Sequence, residues 1–279
     1  MVKNFKRVLG INFFAGDTSE LLKLCAEGHF IVAPAAPALA ELPTDPIYRQ
    51  SVEKSDFAVT DSSFMVILWK VLTGQSLPRI SGPRLLRMLL ASDQLRTDGS
   101  SVWIMPSKGE TEINLAWLNK NGIPLTAQEC YVAPHYPKGK AVSDLKLLAW
   151  IEAHKPRYVI INIGGGIQEA LGLFLKDNLS YSPSIICVGS AIAFFSGIQA
   201  NVPPWADKFM LGWLCRCLHS PSKFVPRYWG ALRLLPIIAK YRERSVVAYT
   251  LDSEALVSKK RHPLTYEAPL GPVNLRKRL

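Results

Sequence analysis

Asp61 ends a short apolar run, Phe57-Ala58-Val59-Thr60, and is followed by two serines, Ser62 and Ser63, and a helix-like stretch over residues 64–72. A carboxylate at the tip of a buried strand, just before a helix, lies where open α/β sheets hold their ligands. There it could act as a general base toward a substrate hydroxyl. Asp and Ser are also favoured helix N-caps, so capping is the competing reading. A second constellation is Val159-Ile160-Ile161-Asn162-Ile163-Gly164-Gly165-Gly166-Ile167-Gln168-Glu169, a strand that runs into three glycines and then a helix. Glycines allow close backbone approach to a ligand, and a helix N-terminus offers N–H groups to a phosphate. Glu169 stands where the last glycine of a dinucleotide fingerprint would fall, and no Lys-Ser/Thr follows as in a P-loop. The triplet is therefore either a ligand loop or a tight structural turn. Arg79, in the loop before residue 82, could touch an anion or could be a surface residue. His135, in a Pro-flanked loop, is a weaker candidate of the same kind.

These residues need a scaffold, and the pattern supplies one. Short apolar runs over 8–13, 29–33, 57–60, 101–105, 129–133, 157–163 and 184–188 read as strands. Between them, helices are expected over 18–27, 46–54, 62–73, 82–93, 108–121, 140–154, 168–176 and 206–218. One further helix is expected from Trp229. Such alternation predicts an α/β fold, Rossmann-like, with a largely parallel sheet flanked by helices and a basic helical C-terminal appendage. The apolar run over 185–198 is broken by Gly189, Ser190, Ser196 and Gly197 and reads as a buried strand and turn. The expected division is a core over 1–200, a basic amphipathic appendage over 201–244, and an extension over 245–279, rich in Lys, Arg and Pro, with a poorly ordered end.

The chain has 279 residues, is 48% hydrophobic and carries a net charge of +11. Residues 1–199 hold 19 Lys/Arg against 17 Asp/Glu, whereas residues 200–279 hold 14 against 5. A neutral body with a cationic tail calls for an anionic partner. In the tail, Trp213, Phe224, Tyr228, Trp229 and several leucines alternate with Arg216, Lys223, Arg227, Arg233 and Lys240. That pattern fits an interfacial helix on an anionic membrane and equally a helix packed on its own core. No signal peptide and no bilayer-spanning segment is visible. The five cysteines form no paired or metal-binding framework, so a reduced cytosolic protein is expected. No nucleic-acid recognition motif occurs, and nucleic acid is not an expected partner.

Four stretches together resemble the WecG/TagA/CpsF family of bacterial glycosyltransferases. Residues 55–61 through 77–82 are similar to its A-D-G-x-G-V run and L-P-x-R-V-x-G loop, and Gly164 to Glu169 to its G-x-G-x-P-x-Q-E motif. Residues 187–197 are similar to its G-V-G-x-x-x-D-x-x-x-G run, and Pro203-Pro204-Trp205 with residues 212–228 to its W-x-x-R-L-x-x-E-P-x-R tail. The resemblance implies transfer, with inversion and without a bound metal or cofactor, of a sugar from a UDP-sugar to a polyprenyl-diphosphate-linked saccharide. The donor sugar would be of the N-acetylmannosamine type or another hexose. The setting would be the inner membrane face, in cell-surface polysaccharide synthesis, by a peripheral protein with room for homo-oligomerisation. By position it makes Asp61 the base, and Gly164, Gly165, Gly166, Gln168, Glu169, Arg79, Arg216, Lys223 and Arg227 the donor-binding set. The chain departs from the family pattern where an Asn is replaced by Ala35, an Asp by Ala193, another Asp by Arg84 and a Glu by Ser220; Ser62 and Phe64 replace glycines. These departures motivate a second hypothesis, a non-catalytic protein that binds a nucleotide sugar or a partner at the membrane surface.

Overall fold

A computed structural model describes residues 4–97, 99–199 and 212–247 of the chain. The start of the helix expected from residue 206, the Pro203-Pro204-Trp205 stretch and the extension beyond residue 247 lie outside the described residues. Among the described residues eight strands form one sheet in the order β1-β2-β4-β3-β8-β7-β5-β6. They are β1 (Phe5–Val8), β2 (Ile11–Phe14), β3 (Phe30–Val32), β4 (Phe57–Ala58), β5 (Ser101–Met105), β6 (Cys130–Val132), β7 (Tyr158–Ile161) and β8 (Ser184–Cys187). Of the described pairs, only β1–β2 is antiparallel. Strands β5, β7 and β8 are buried at every position, as expected when helices cover both faces of a parallel sheet.

Each face builds its own apolar core. On one side Val32, Val159, Ile161 and Ile185 pack under α2 (Ala36–Leu39), α3 (Pro46–Glu53), α4 (Ser63–Thr73), α7 (Leu145–His154) and α8 (Ile167–Asn178). On the other, Ile31, Ile160 and Ile186 pack under α1 (Thr18–Leu24), α5 (Gly82–Ala91), α6 (Lys108–Lys120) and α9 (Ala191–Phe195). The neighbouring strands β3 and β8 thus lead to helices on opposite faces, α2 and α9. A crevice opens between strand ends that diverge in this way, and ligands in open α/β sheets bind there.

The C-terminal appendage continues as α10 (Gly212–His219), α11 (Pro221–Ala231) and α12 (Leu234–Tyr241). Helix α11 packs on α2, and α12 on α4 and α2, burying Leu234, Ile237, Ile238 and Tyr241. The expected single helix from Trp229 is therefore two, joined at Leu232–Arg233. The strand expected over 8–13 is a hairpin, because Leu9 and Gly10 both take positive φ (54° and 82°) and turn the chain. Leucine disfavours that conformation. Here the turn is held from outside: Leu9 N–H donates to Arg242 C=O (2.6 Å), Gly10 N–H to Glu243 C=O (3.3 Å), and the Leu9 side chain is fully buried.

Helix α8 approaches the sheet closely at Gly172, where an added Cβ would stand 2.3 Å from the Phe30 ring and 3.2 Å from Cys187 Sγ. Alanine gains about 1 kcal/mol over glycine in a helix, but overpacking a buried contact costs about 1–3 kcal/mol. Gly172→Ala is thus expected to lower the unfolding free energy by up to about 2 kcal/mol, measured by urea titration. A raised midpoint would contradict the close approach.

Candidate active site

Strand β4 is short because the chain turns at once: Asp61 N–H donates back to Val59 C=O (3.1 Å). Thr60 is fully buried, and its hydroxyl donates to Pro78 C=O and accepts from Ile80 N–H (3.1 Å). Those bonds pin the loop that carries Arg79 and starts α5 against the end of β4. Ser62 caps α4, its Oγ accepting from Met65 N–H (3.1 Å). Asp61 is thereby spared that task and reaches across to the next helix, where Oδ1 accepts from Gly82 N–H (2.8 Å). Its other oxygen makes no hydrogen bond among the described residues. Ser81 caps α5 through Arg84 N–H (3.3 Å). The carboxylate therefore rests on the positive end of α5 with one oxygen fixed.

Asp61 lines a cavity of about 460 Å³ together with Arg79, Arg84, Arg87 and Arg227. Its remaining wall is largely apolar, from Phe64 and Ile67 of α4, Phe194 and Phe195 of α9, and Trp213, Tyr228 and Leu232 of the appendage. Four guanidinium groups beside one carboxylate suit an anionic ligand, since arginine forks match phosphate oxygens. Arg84 donates to Arg79 C=O (3.0 Å), and Arg87 lies over the Phe195 ring (5.3 Å). Of the expected residues, Asp61, Arg79 and Arg227 thus meet in one place. Arg216 and Lys223 lie on α10 and α11, but their side chains are outside the described part of the structure. The sequence does not single out Arg87 as a site residue and marks Arg84 only as a departure from the family pattern. The legible signal was their spacing of three on a helix, which puts both on one face. His135 is exposed and does not line the cavity. Among the described residues no three His, Cys, Asp or Glu side chains gather as metal ligands.

The glycine triplet does not line this cavity. Gly164 and Gly165 are exposed, with open space where a Cβ would be, and Gly166 takes φ +90°. The side chains of Gln168 and Glu169 are buried and engaged within the protein. Glu169 accepts from Gly166 N–H (2.6 Å) and from Gln168 Nε2 (3.0 Å), and Gln168 Oε1 accepts from Gly189 N–H (2.8 Å). They hold the turn and tie the loop after β7 to the loop after β8. A Cβ on Gly82 would stand 3.0 Å from Val188 C=O, next to Gly189. Triplet and Asp61 are thus ends of one connected edge, while the triplet's open side faces elsewhere. Near it stands Lys138, paired with Glu41 (2.5 Å).

Burial pushes the Glu169 carboxyl up to about 6, against the pull of the two hydrogen bonds it accepts. The folded state thus keeps this proton to higher pH than the unfolded chain, whose value is 4.5. Its contribution favours folding at low pH and fades by about 2 kcal/mol as pH rises from about 4.5 to about 6. Glu169→Gln should lack that decline, so the difference between wild-type and variant stability, followed by denaturant unfolding across that window, reads it directly. Parallel profiles would refute the assignment.

A model of the family described as Glycosyl transferase WecG/TagA/CpsF matches residues 6–246. No curated protein matches the chain. The match supports a glycosyltransferase role in cell-surface polysaccharide synthesis. It takes in every described strand but the first residue of β1, together with the cavity and its appendage wall, and the chain belongs to the WecG/TagA/CpsF glycosyltransferase family.

Proposed function

We propose that this glycosyltransferase moves a sugar from a UDP-sugar to a lipid-linked saccharide at the inner membrane face, with inversion and with Asp61 as the base. The observation that carries the reading is the placement of Asp61, partly buried at a cationic cavity, one oxygen fixed on Gly82 and the other unengaged. The unengaged oxygen takes the proton of the acceptor hydroxyl as that hydroxyl's oxygen attacks the anomeric carbon. The bond from that carbon to UDP breaks, and UDP leaves with the electron pair. Arg79, from the loop before α5, and Arg227, from α11, stabilise the charge that grows on the diphosphate.

Docking at an anionic membrane is the part of the proposal that the appendage supports. Trp213, Leu218, Val225 and Trp229 are exposed on α10 and α11, as is Arg227. Among the described residues no helix is long and apolar enough to cross a bilayer. The competing reading, a binding protein without turnover, draws on Ala35 and Arg84. Both line the cavity, at positions where the family pattern has Asn and Asp.

UDP release from a panel of UDP-sugars with a polyprenyl-diphosphate-linked acceptor separates these readings. Asp61→Asn keeps an oxygen to accept from Gly82 N–H and loses the base, so kcat should fall by about 10²–10⁴. Equal turnover by variant and wild type removes Asp61 from the chemistry, and no turnover by wild type with any donor favours the binding protein.

A further inference from the structure

Two helices carry apolar residues outward from the mouth of the cavity. On α4, Phe64, Ile67 and Val71 follow one another at helical spacing on one face, with Ile67 48% and Val71 75% exposed. The opposite face of α4 is committed to the core through Met65, Leu68 and Trp69. Beside it, Leu232 in the joint before α12 and Leu235 in its first turn are each 48% exposed, while Leu234, Ile237 and Ile238 face inward. Phe64, Ile67 and Leu232 also line the arginine cavity, and Val71 and Leu235 each lie one turn farther out.

The two lines run the same way. Helix α12 packs on α4, and both leave the cavity for the β1–β2 hairpin. Lys6 Nζ donates to Ser76 C=O (3.0 Å) just past the end of α4, and Leu9 N–H donates to Arg242 C=O at the end of α12. From Phe64 to Val71 the helix rises roughly 10 Å. An apolar track of that length, beginning at a cavity lined by four arginines, matches an amphiphile with an anionic head and a hydrocarbon tail. A nucleotide sugar would leave the track empty.

We propose that the track Phe64–Ile67–Val71 with Leu232–Leu235 binds the first stretch of the hydrocarbon chain of a prenyl diphosphate whose diphosphate sits at Arg84 and Arg87, in the same cavity as the pair, Arg79 and Arg227, that serves the donor. This rests on the reading that the acceptor is a lipid diphosphate, and it adds that the protein holds part of the lipid itself. The occupant is the acceptor's own chain.

Equilibrium binding of two soluble probes, farnesyl diphosphate and isopentenyl diphosphate, tests this without requiring turnover. Wild type should bind the farnesyl compound at least about tenfold more tightly, because more CH₂ groups leave water. The double variant Val71→Ser/Leu235→Ser should erase that preference and leave the Kd for isopentenyl diphosphate, which also reports an intact cavity, within about twofold. Equal affinity of wild type for both probes overturns the proposal, as does a variant that weakens both equally. A variant that loses partition onto anionic vesicles but keeps the farnesyl preference overturns it too and gives the surface to the bilayer. Asp61→Asn, which removes transfer, should keep the farnesyl preference. Failure of transfer therefore sinks the enzymatic reading alone, and equal probe affinities sink this one alone.

Discussion

One backbone N–H, that of Gly82, joins the two halves of the site. It fixes Asp61 at the end of β4 and opens α5, the helix that brings Arg84 and Arg87 to the same cavity. Two conditions make the bond possible. Ser62 takes over the capping of α4, which frees the carboxylate, and the buried Thr60 hydroxyl holds the 78–80 loop where Gly82 can reach it. Gly82 also meets Val188 so closely that a side chain there would press on the backbone of the next loop. From that loop Gln168 and Glu169 carry the connection to the glycine turn. The carboxyl edge of the sheet is thus one braced rim, and the catalytic candidate sits at one end of it.

The cavity joins opposite chemistries. Guanidinium groups from three parts of the chain converge on a wall otherwise built of aromatic and aliphatic side chains. In such a low-polarity setting a charge interaction is stronger than in water, which is where stabilising a leaving diphosphate is most effective. The same wall accounts for the amphipathic pattern of the C-terminal stretch. Its inward residues, Ala231, Leu234 and Ile238, pack on α2 and α4, and Arg227 and Tyr228 face the cavity. Neither of the two uses read from the sequence, core packing or interface, excludes the other.

The central strands and most helices were legible because buried parallel strands leave apolar runs between glycines and prolines. The hairpin was not, since Leu9 reads as one more strand residue and only the distant Arg242–Glu243 backbone explains its turn. Helix α9 was hidden in the apolar run after β8 for a similar reason: its burial is tertiary. Asp61 was legible as a strand-end carboxylate, but its choice between capping α4 and serving the site depended on Ser62 beside it. Gln168 and Glu169 enter the donor-binding set through the resemblance alone, since sequence gives no direction to a side chain. In the fold they point into the protein and shape the turn instead.

The wall made by residues 213–232 lies more than 150 positions after Asp61 in the chain. On a ribosome the carboxylate and its brace on Gly82 emerge early, and the far wall with Arg227 emerges late. The cavity is therefore enclosed only after the eight described strands have all been made, when α11 and α12 come to rest on α2 and α4.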